Sequence, residues 1–253
     1  MSKDQFLRYY RCGETSHNLA QLFKGGPKQQ QVFPSGAFLF QHSSGARVLF
    51  DTGYAPNTAA AGWKAWLYSR LLPPVVAPDD LIGHQLRADK IHPASITHVV
   101  LSHLHPDHIG GVRHFPEATF YLGEGALETL RAPKLKEGFF PGLLPQWFWQ
   151  APQVGVGAAG LDLFGDGSYR IVPLPGHARG QVGAVVGQKI VLAGDAAWGR
   201  ELLGCGHKLR PVPRHINHDL GQYQATEQWL LAQEQAGLRL CFSHDTYPER
   251  DLL

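Results

Sequence analysis

The sequence predicts an α+β sandwich, two mixed β-sheets packed face to face with helices on the outer faces. Three observations predict it. Short apolar runs of β type recur in both halves of the chain rather than in one block. Helical patterns lie between and after them, so the two kinds of element are interleaved. Of 253 residues, 43% are hydrophobic and 17% charged, which is enough apolar side chain for an extensive core. No internal repeat divides the chain, and one domain over residues 1–253 is expected.

Taken in order, residues 37–41 and 47–51 form the first pair of predicted strands, joined by a turn at Gly45. Residues 97–102 and 118–122 follow, then 169–174, 182–186, 189–193 and 238–243 in the second half. Most are rich in Val, Ile, Leu and Phe and close on Gly, Pro, Asp or His. Gly187-Gln188 reads as a second hairpin turn. Helices are predicted at 79–88, which opens on two acidic residues, at 123–131, and at 217–236. In the last, Leu220, Tyr223, Leu230 and Leu231 recur near helical spacing and Gly237 is placed to end it. Two aromatic-rich segments with Pro and Gly, 62–78 and 138–152, read as irregular. They hold Trp63, Trp66 and Tyr68, and Phe139, Phe140, Trp147, Phe148 and Trp149, rings suited to a pocket wall or to packing on the body.

Charge and cysteine content exclude several classes. Lys and Arg number 23 against 21 Asp and Glu, a net charge of +2 without basic runs, so no nucleic-acid groove is expected. No apolar run approaches the roughly 20 residues that span a bilayer, and the first eight residues lack the apolar stretch of a signal peptide. Cys12, Cys205 and Cys241 are an odd, widely spaced set and read as reduced thiols. A cytoplasmic protein is expected. Its partner is a small-molecule substrate, not a membrane or nucleic acid, with a homodimer as a further candidate assembly.

The 14 histidines are the compositional oddity. In 97–111 an apolar strand runs into His103, His105, Asp107 and His108. Histidines two apart on extended backbone point to one side. Pro106 stops the strand, the next two side chains fold back on the same point, and Gly110-Gly111 permits close backbone packing. Imidazole and carboxylate suit Zn²⁺ or a similar metal, and four ligands in one segment exceed what a single open catalytic metal takes, which points to two metals. Further ligands are expected where apolar strands end in polar groups: His177 after Leu174-Pro175-Gly176, Asp195 after Val191-Leu192-Ala193-Gly194, and His244 after Leu240-Cys241-Phe242-Ser243. Of the other histidines, His98 sits in a strand. His17, His42, His84, His92, His114 and His207 read as solvated or capping, and His215 and His218 as edging the site.

The segment His103-Leu104-His105-Pro106-Asp107-His108 resembles the signature motif of the metallo-β-lactamase superfamily. His177, Asp195 and His244 match that family's later ligands, and Phe50-Asp51-Thr52-Gly53 resembles its early strand-end Asp-Thr-Gly. The resemblance implies the αββα metallo-β-lactamase fold. It implies a first metal held by His103, His105 and His177, and a second held by Asp107, His108 and His244. Asp195 would bridge both and Asp51 would orient the site through hydrogen bonds. Two divalent ions are implied, zinc first, with Mn, Fe or Co open.

Within the superfamily, Ser102-His103 through Gly110-Gly111 and Ser243-His244-Asp245 are similar to the N-acyl homoserine lactone lactonases. One position departs: those lactonases often carry a tyrosine three residues after the bridging aspartate, and here Trp198 stands there. An indole donates a hydrogen bond but is no acid. Tyr54, Tyr247 and His215 are candidate substitutes, and Asp107 or water a candidate proton source for the leaving oxygen. Trp147 and Trp149 are candidate pocket residues. The chain shows no Gly-x-Ser-x-Gly elbow, and the implied chemistry is hydrolysis of a small lactone or carboxylic ester by a metal-bridging hydroxide. Asp107 and Asp195 are its candidate catalytic carboxylates. A phosphoesterase, including a phosphotriesterase-like enzyme, and a thioesterase of the glyoxalase II kind are the alternatives, and a metal-binding sensor without turnover is the non-enzyme one. A flavin-linked diiron oxidoreductase is disfavoured, since no flavin-binding domain is visible.

Overall fold

A computed structural model describes residues 5–253. Part of the amino-terminal stretch weighed for a signal peptide, residues 1–4, lies outside the described residues. Eleven strands are described: β1 (Phe6–Asn18), β2 (Gln30–Gln41), β3 (Arg47–Phe50), β4 (His98–Val100), β5 (Thr119–Gly123), β6 (Gln153–Val156), β7 (Leu161–Asp162), β8 (Tyr169–Pro173), β9 (Val182–Val186), β10 (Ile190–Gly194) and β11 (Arg239–Phe242). They make two mixed sheets, ordered β1-β2-β3-β4-β5-β6 and β11-β10-β9-β8-β7.

Alternation along the strands explains why the sheets face each other. In β2, Phe38 and Phe40 enter the layer between the sheets while Ala37 and Leu39 enter the outer layer of the first sheet. In β10, Ile190 and Leu192 face inward and Val191 and Ala193 face the outer layer of the second sheet. Because both faces are covered, these strands read as continuous apolar runs. Seven helices are described: α1 (Leu19–Leu22), α2 (Trp63–Leu71), α3 (Ile82–Ala88), α4 (Pro106–Ile109), α5 (Glu124–Arg131), α6 (Pro211–Ile216) and α7 (Leu220–Gln235). On α7, Leu230 packs on the outer face of the second sheet with Val191, Leu240 and Phe242. Asp219 caps its first turn through Gln222 N at 3.0 Å, two residues inside the start expected from sequence. Gly237, at φ 93°, closes its end.

Two expectations are corrected. The segment 62–78 is not wholly irregular, since it contains the nine-residue α2. That helix buries only Ala65 and leaves Trp63, Trp66, Leu67 and Leu71 exposed, so no apolar stripe marks it. The predicted helix over 79–88 begins instead with a 3₁₀ turn, Pro78–Asp80, and is α-helical only over Ile82–Ala88.

Strand direction positions the site. β3 and β4 run parallel, as do β10 and β11, and β8 is antiparallel to β9, which is antiparallel to β10. The carboxyl ends of β8, β10 and β11 therefore share one edge of their sheet, and those of β3 and β4 share one edge of theirs. Polar residues following these ends meet at one rim.

Candidate metal centre

At the end of β3, Asp51 takes a left-handed backbone conformation, φ 58°, and is fully buried. Its Oδ1 accepts from Ser102 N at 2.7 Å, and its Oδ2 accepts from Ser102 Oγ at 2.8 Å and from His108 Nδ1 at 2.8 Å. The loop after β4 carries His103 and His105 and turns into α4. This turn is possible because Gly110 N donates to Gly53 O at 2.8 Å, and a Cβ on Gly110 would stand 1.9 Å from Ala55 N. Gly110 thus locks the histidine-rich loop onto the loop that follows Asp51.

The structure brings all seven sequence-predicted ligands together in two clusters. His103, His105, His177 and Asp195 form one, and Asp107, His108, His244 and Asp195 the other, with candidate ligand atoms within 4.8 Å of one another in each. Asp195 faces both. Its Oδ2 lies 3.4 Å from His177 Nε2 and 3.1 Å from His244 Nε2, and its Oδ1 lies 3.3 Å from His108 Nε2.

Outer partners fix which nitrogen points inward. His177 Nδ1 donates to Asn217 Oδ1 at 2.9 Å, His244 Nδ1 donates to Pro34 O at 2.7 Å, and His103 Nδ1 stands 3.0 Å from Ser102 Oγ. With His108 held by Asp51, four rings present Nε2 to the centre. His105 presents Nδ1, 3.1 Å from His177 Nε2. Its ring is covered by Gly138 at φ 62°, where a Cβ would lie 2.7 Å from the imidazole.

The residues fit a pair of divalent cations. His103 Nε2, His108 Nε2 and Asp195 Oδ1 are buried without a hydrogen-bond partner, which is costly unless a cation satisfies them. Electrostatics agree. Burial pushes the imidazole of His103 well down and that of His105 down to about 3, helped by neighbouring histidines, so these imidazoles are neutral as ligation requires. In the second, burial opposes the charged forms but is outweighed. Asp107 and Asp195 raise His108 far above the ordinary histidine value, and Asp195 and Asp107 raise His244 to about 9. Against the same burial, His108 and His244 hold Asp107 at about 2 and keep Asp195 well below the usual carboxylate range. Buried carboxylates that draw protons onto imidazoles mark a place built for positive charge.

The remaining candidates divide. Trp198 stands edge-on to His177, ring centroids 6.1 Å apart, and against Phe23 at the same separation. His215 lines a cavity of about 250 Å³ with Lys136, Glu137, Arg214, Asn217 and His218, and Asn217 is the partner of His177. The Tyr247 hydroxyl is engaged by the backbone of Phe242, accepting from its N at 2.7 Å and donating to its O at 3.1 Å. Trp147 packs on Phe120 in the outer layer of the first sheet, and Trp149 lies edge-on to Phe148, 41% exposed. The ring neighbours of these last three are core aromatics, not ligands.

The sequence reads His17 as solvated or capping, and Tyr68 only as one ring of an aromatic segment suited to a pocket wall or to packing on the body. His17 instead packs its ring on Phe33, which in turn meets His244 edge-on. Burial lowers its pKa, and His244 and Asp107 are the charges it feels. Tyr68 is half-buried, and the charges acting on its hydroxyl include Asp107, His108 and Asp195. No local pattern singles out either, since both reach the site from elements far away in sequence.

Comparison with known proteins agrees with the geometry. The family model described as the metallo-beta-lactamase superfamily matches residues 31–240. A probable metallo-hydrolase of Mycobacterium tuberculosis is 31% identical over 170 residues, 62% of this chain, and the chain spans 54% of that relative's length. The N-acyl homoserine lactonase AttM of Agrobacterium fabrum is 30% identical over 195 residues, 72% of this chain and 71% of its own. Among solved structures, an N-acyl homoserine lactone hydrolase with N-hexanoyl-L-homoserine at its catalytic metal centre superposes with a TM-score of 0.73 at 17% identity. That match covers 96% of this chain and 94% of the other. AidC, a dizinc quorum-quenching lactonase, reaches 0.65 at 17% identity over 96% and 86% of the two chains. These structures share the fold, and the extent of the family match together with the two four-residue clusters makes this chain a member of the metallo-β-lactamase superfamily.

Proposed function

We propose that the chain is a dinuclear metal-dependent hydrolase of a small lactone or carboxylic ester. The observation that carries this reading is the pair of ligand clusters sharing Asp195, in a chain related over most of its length to a protein named N-acyl homoserine lactonase. His103, His105, His177 and Asp195 would hold one ion, and Asp107, His108, His244 and Asp195 the other. Imidazole and carboxylate donors suit zinc first and also accept Mn, Fe or Co. Two bound divalent ions supply the Lewis acidity that activates water and polarises a carbonyl.

The chain's own residues do the positioning. Asp51, Asn217, the Pro34 carbonyl and Ser102 fix the tautomers of His108, His177, His244 and His103, so the inward nitrogens are aimed before substrate arrives. Trp198 walls the first cluster and can donate its indole N–H to a substrate oxygen. Trp63, Phe139 and Phe140 line a cavity of about 260 Å³, a surface suited to the apolar part of a small substrate.

Elemental analysis of protein purified without chelator tests the metal centre, with close to two equivalents expected. The substrate class is tested by turnover of an acyl homoserine lactone, an aryl ester, a phosphotriester, a phosphodiester and a thioester by metal-loaded protein. Fastest turnover of the lactone or aryl ester is expected. Brisk phosphotriester turnover with negligible lactone and ester turnover would overturn the substrate class.

A further inference from the structure

With cations bound, none of the seven ligands offers a hydrogen-bond donor inward: each presents an imidazole nitrogen or a carboxylate oxygen. An ester that opens at such a centre builds negative charge on its departing oxygen, and that charge is stabilised by a hydrogen-bond donor already in place. A candidate donor comes from α2.

Two phenols from separate segments meet there. Tyr54 belongs to the loop that follows Asp51. Its N bonds Cys12 O at 3.2 Å, and it is 3% exposed. Tyr68 comes from α2, with its ring 5.5 Å from that of Phe140, two residues after the Gly138 that covers His105. Their hydroxyl oxygens are 3.4 Å apart. Thr15 also hydrogen-bonds Tyr54. Tyr54 can therefore donate to the Tyr68 oxygen while accepting from Thr15, which leaves the Tyr68 proton free for another acceptor. The second cluster is close by: the loop that carries Tyr54 packs on α4, where Thr52 N bonds His108 O and Gly110 N bonds Gly53 O, each at 2.8 Å, and Asp107, His108 and Asp195 are among the charges that act on the Tyr68 hydroxyl. Burial, and then Asp107, hold the phenol above its ordinary value, so it remains a donor across the neutral range.

Resting on the ester or lactone reading, we propose that Tyr68 is a catalytic residue whose phenolic hydroxyl, oriented by Tyr54, donates a hydrogen bond to the departing oxygen. The oxygen of water bonds to the acyl carbon as the acyl C–O bond breaks. The departing oxygen takes a proton originating from that water, and Tyr68 keeps its own. The role is stabilisation of charge, so its value grows with the basicity of the departing oxygen.

That dependence supplies the test. Tyr68→Phe keeps the ring contact with Phe140 and removes only the hydroxyl. In metal-loaded protein, kcat/KM is compared for an acyl lactone, whose departing oxygen is a basic alkoxide, and for a 4-nitrophenyl ester, whose departing oxygen is weakly basic. The variant should lose about 10- to 100-fold on the lactone and no more than about threefold on the nitrophenyl ester. Metal content should be unchanged. Calorimetric affinity for the ring-opened hydroxy acid should fall by about tenfold. Tyr54→Phe should show a smaller loss with the same leaving-group dependence. Equal losses on both esters, no loss on the lactone, or loss of metal from Tyr68→Phe would overturn the assignment. If the wild type hydrolyses phosphotriesters and neither ester, the substrate class has failed. The same comparison on phosphotriesters with alkoxide and nitrophenoxide leaving groups then decides Tyr68 separately.

Discussion

The two ligand clusters differ more than their shared Asp195 suggests. The first is three imidazoles, His103, His105 and His177, steadied by neutral partners, Ser102 and Asn217. The second sets His108 and His244 among Asp107, Asp195 and, behind His108, Asp51. Burial acts the same way on both sets of imidazoles, but the net outcomes are opposite. It strips protons from the first cluster, whereas in the second the carboxylates hold protons on imidazoles despite burial. On the two-ion reading proposed above, one subsite would take a cation as it stands, and the other would exchange protons for it.

Removing the element common to both should have the largest effect. Asp195→Ala deletes the carboxylate that faces His108, His177 and His244. Turnover should fall by at least about 100-fold, the upper end of what a lost orienting partner costs, with the circular dichroism spectrum unchanged. A variant that keeps two metals and full activity would show that neither cluster depends on the bridge.

Proton competition should separate the subsites next. His244 sits at about 9 in the metal-free protein, so below that pH each unit of acidification weakens the second metal by about tenfold through this one group. At the first cluster His105 lies near 3, so affinity there stays flat through neutrality. Metal titrations at pH 8 and pH 6.5 should find one tight site at both values and one that weakens with acid. Parallel weakening of both sites would erase the distinction.

The outer partners give a finer comparison. Asp51→Asn keeps an acceptor for His108 but places an amide against the Ser102 donors. It should weaken the second metal by about tenfold and spare the first. Asn217→Ala frees His177 and should do the reverse. Competition with a chromogenic chelator reads both, and a variant that weakens the opposite subsite would break the pairing of partner with cluster.

This asymmetry also accounts for what the sequence discloses. The ligands outside α4 follow apolar strands, as Asp195 follows the fully buried β10, so a run of Val, Leu and Ala ending in a carboxylate is visible in five residues. The walls have no such neighbours. Tyr68 sits on a helix whose rings face solvent, so its periodicity points away from the site. β1 escaped notice because charged and polar residues interrupt it and its register shifts between Arg11 and Glu14. It is this strand that carries Thr15 to Tyr54 and His17 to Phe33, beside His244. His17 is legible only once Phe33 and His244 are seen beside it.

The smallest expected effect concerns the wall of the first cluster. Trp198 meets His177 edge-on at 6.1 Å and leans on Phe23, so its ring packs the ligand while its N–H remains a single weak donor. Trp198→Phe retains an aromatic ring and removes that donor. One hydrogen bond to an oxygen that stays neutral contributes roughly 0.5–1.5 kcal/mol, and such a bond serves ground state and transition state alike. Its loss should therefore appear as a KM raised about threefold, with kcat within about twofold and metal content unchanged. The acid and base limbs of the pH–rate profile should stay in place, since no titrating group has been removed. A drop in kcat with KM unchanged would move Trp198 into the chemical step, and with it the division between a first cluster whose wall holds the substrate and a second whose wall, at Tyr68, meets the departing oxygen.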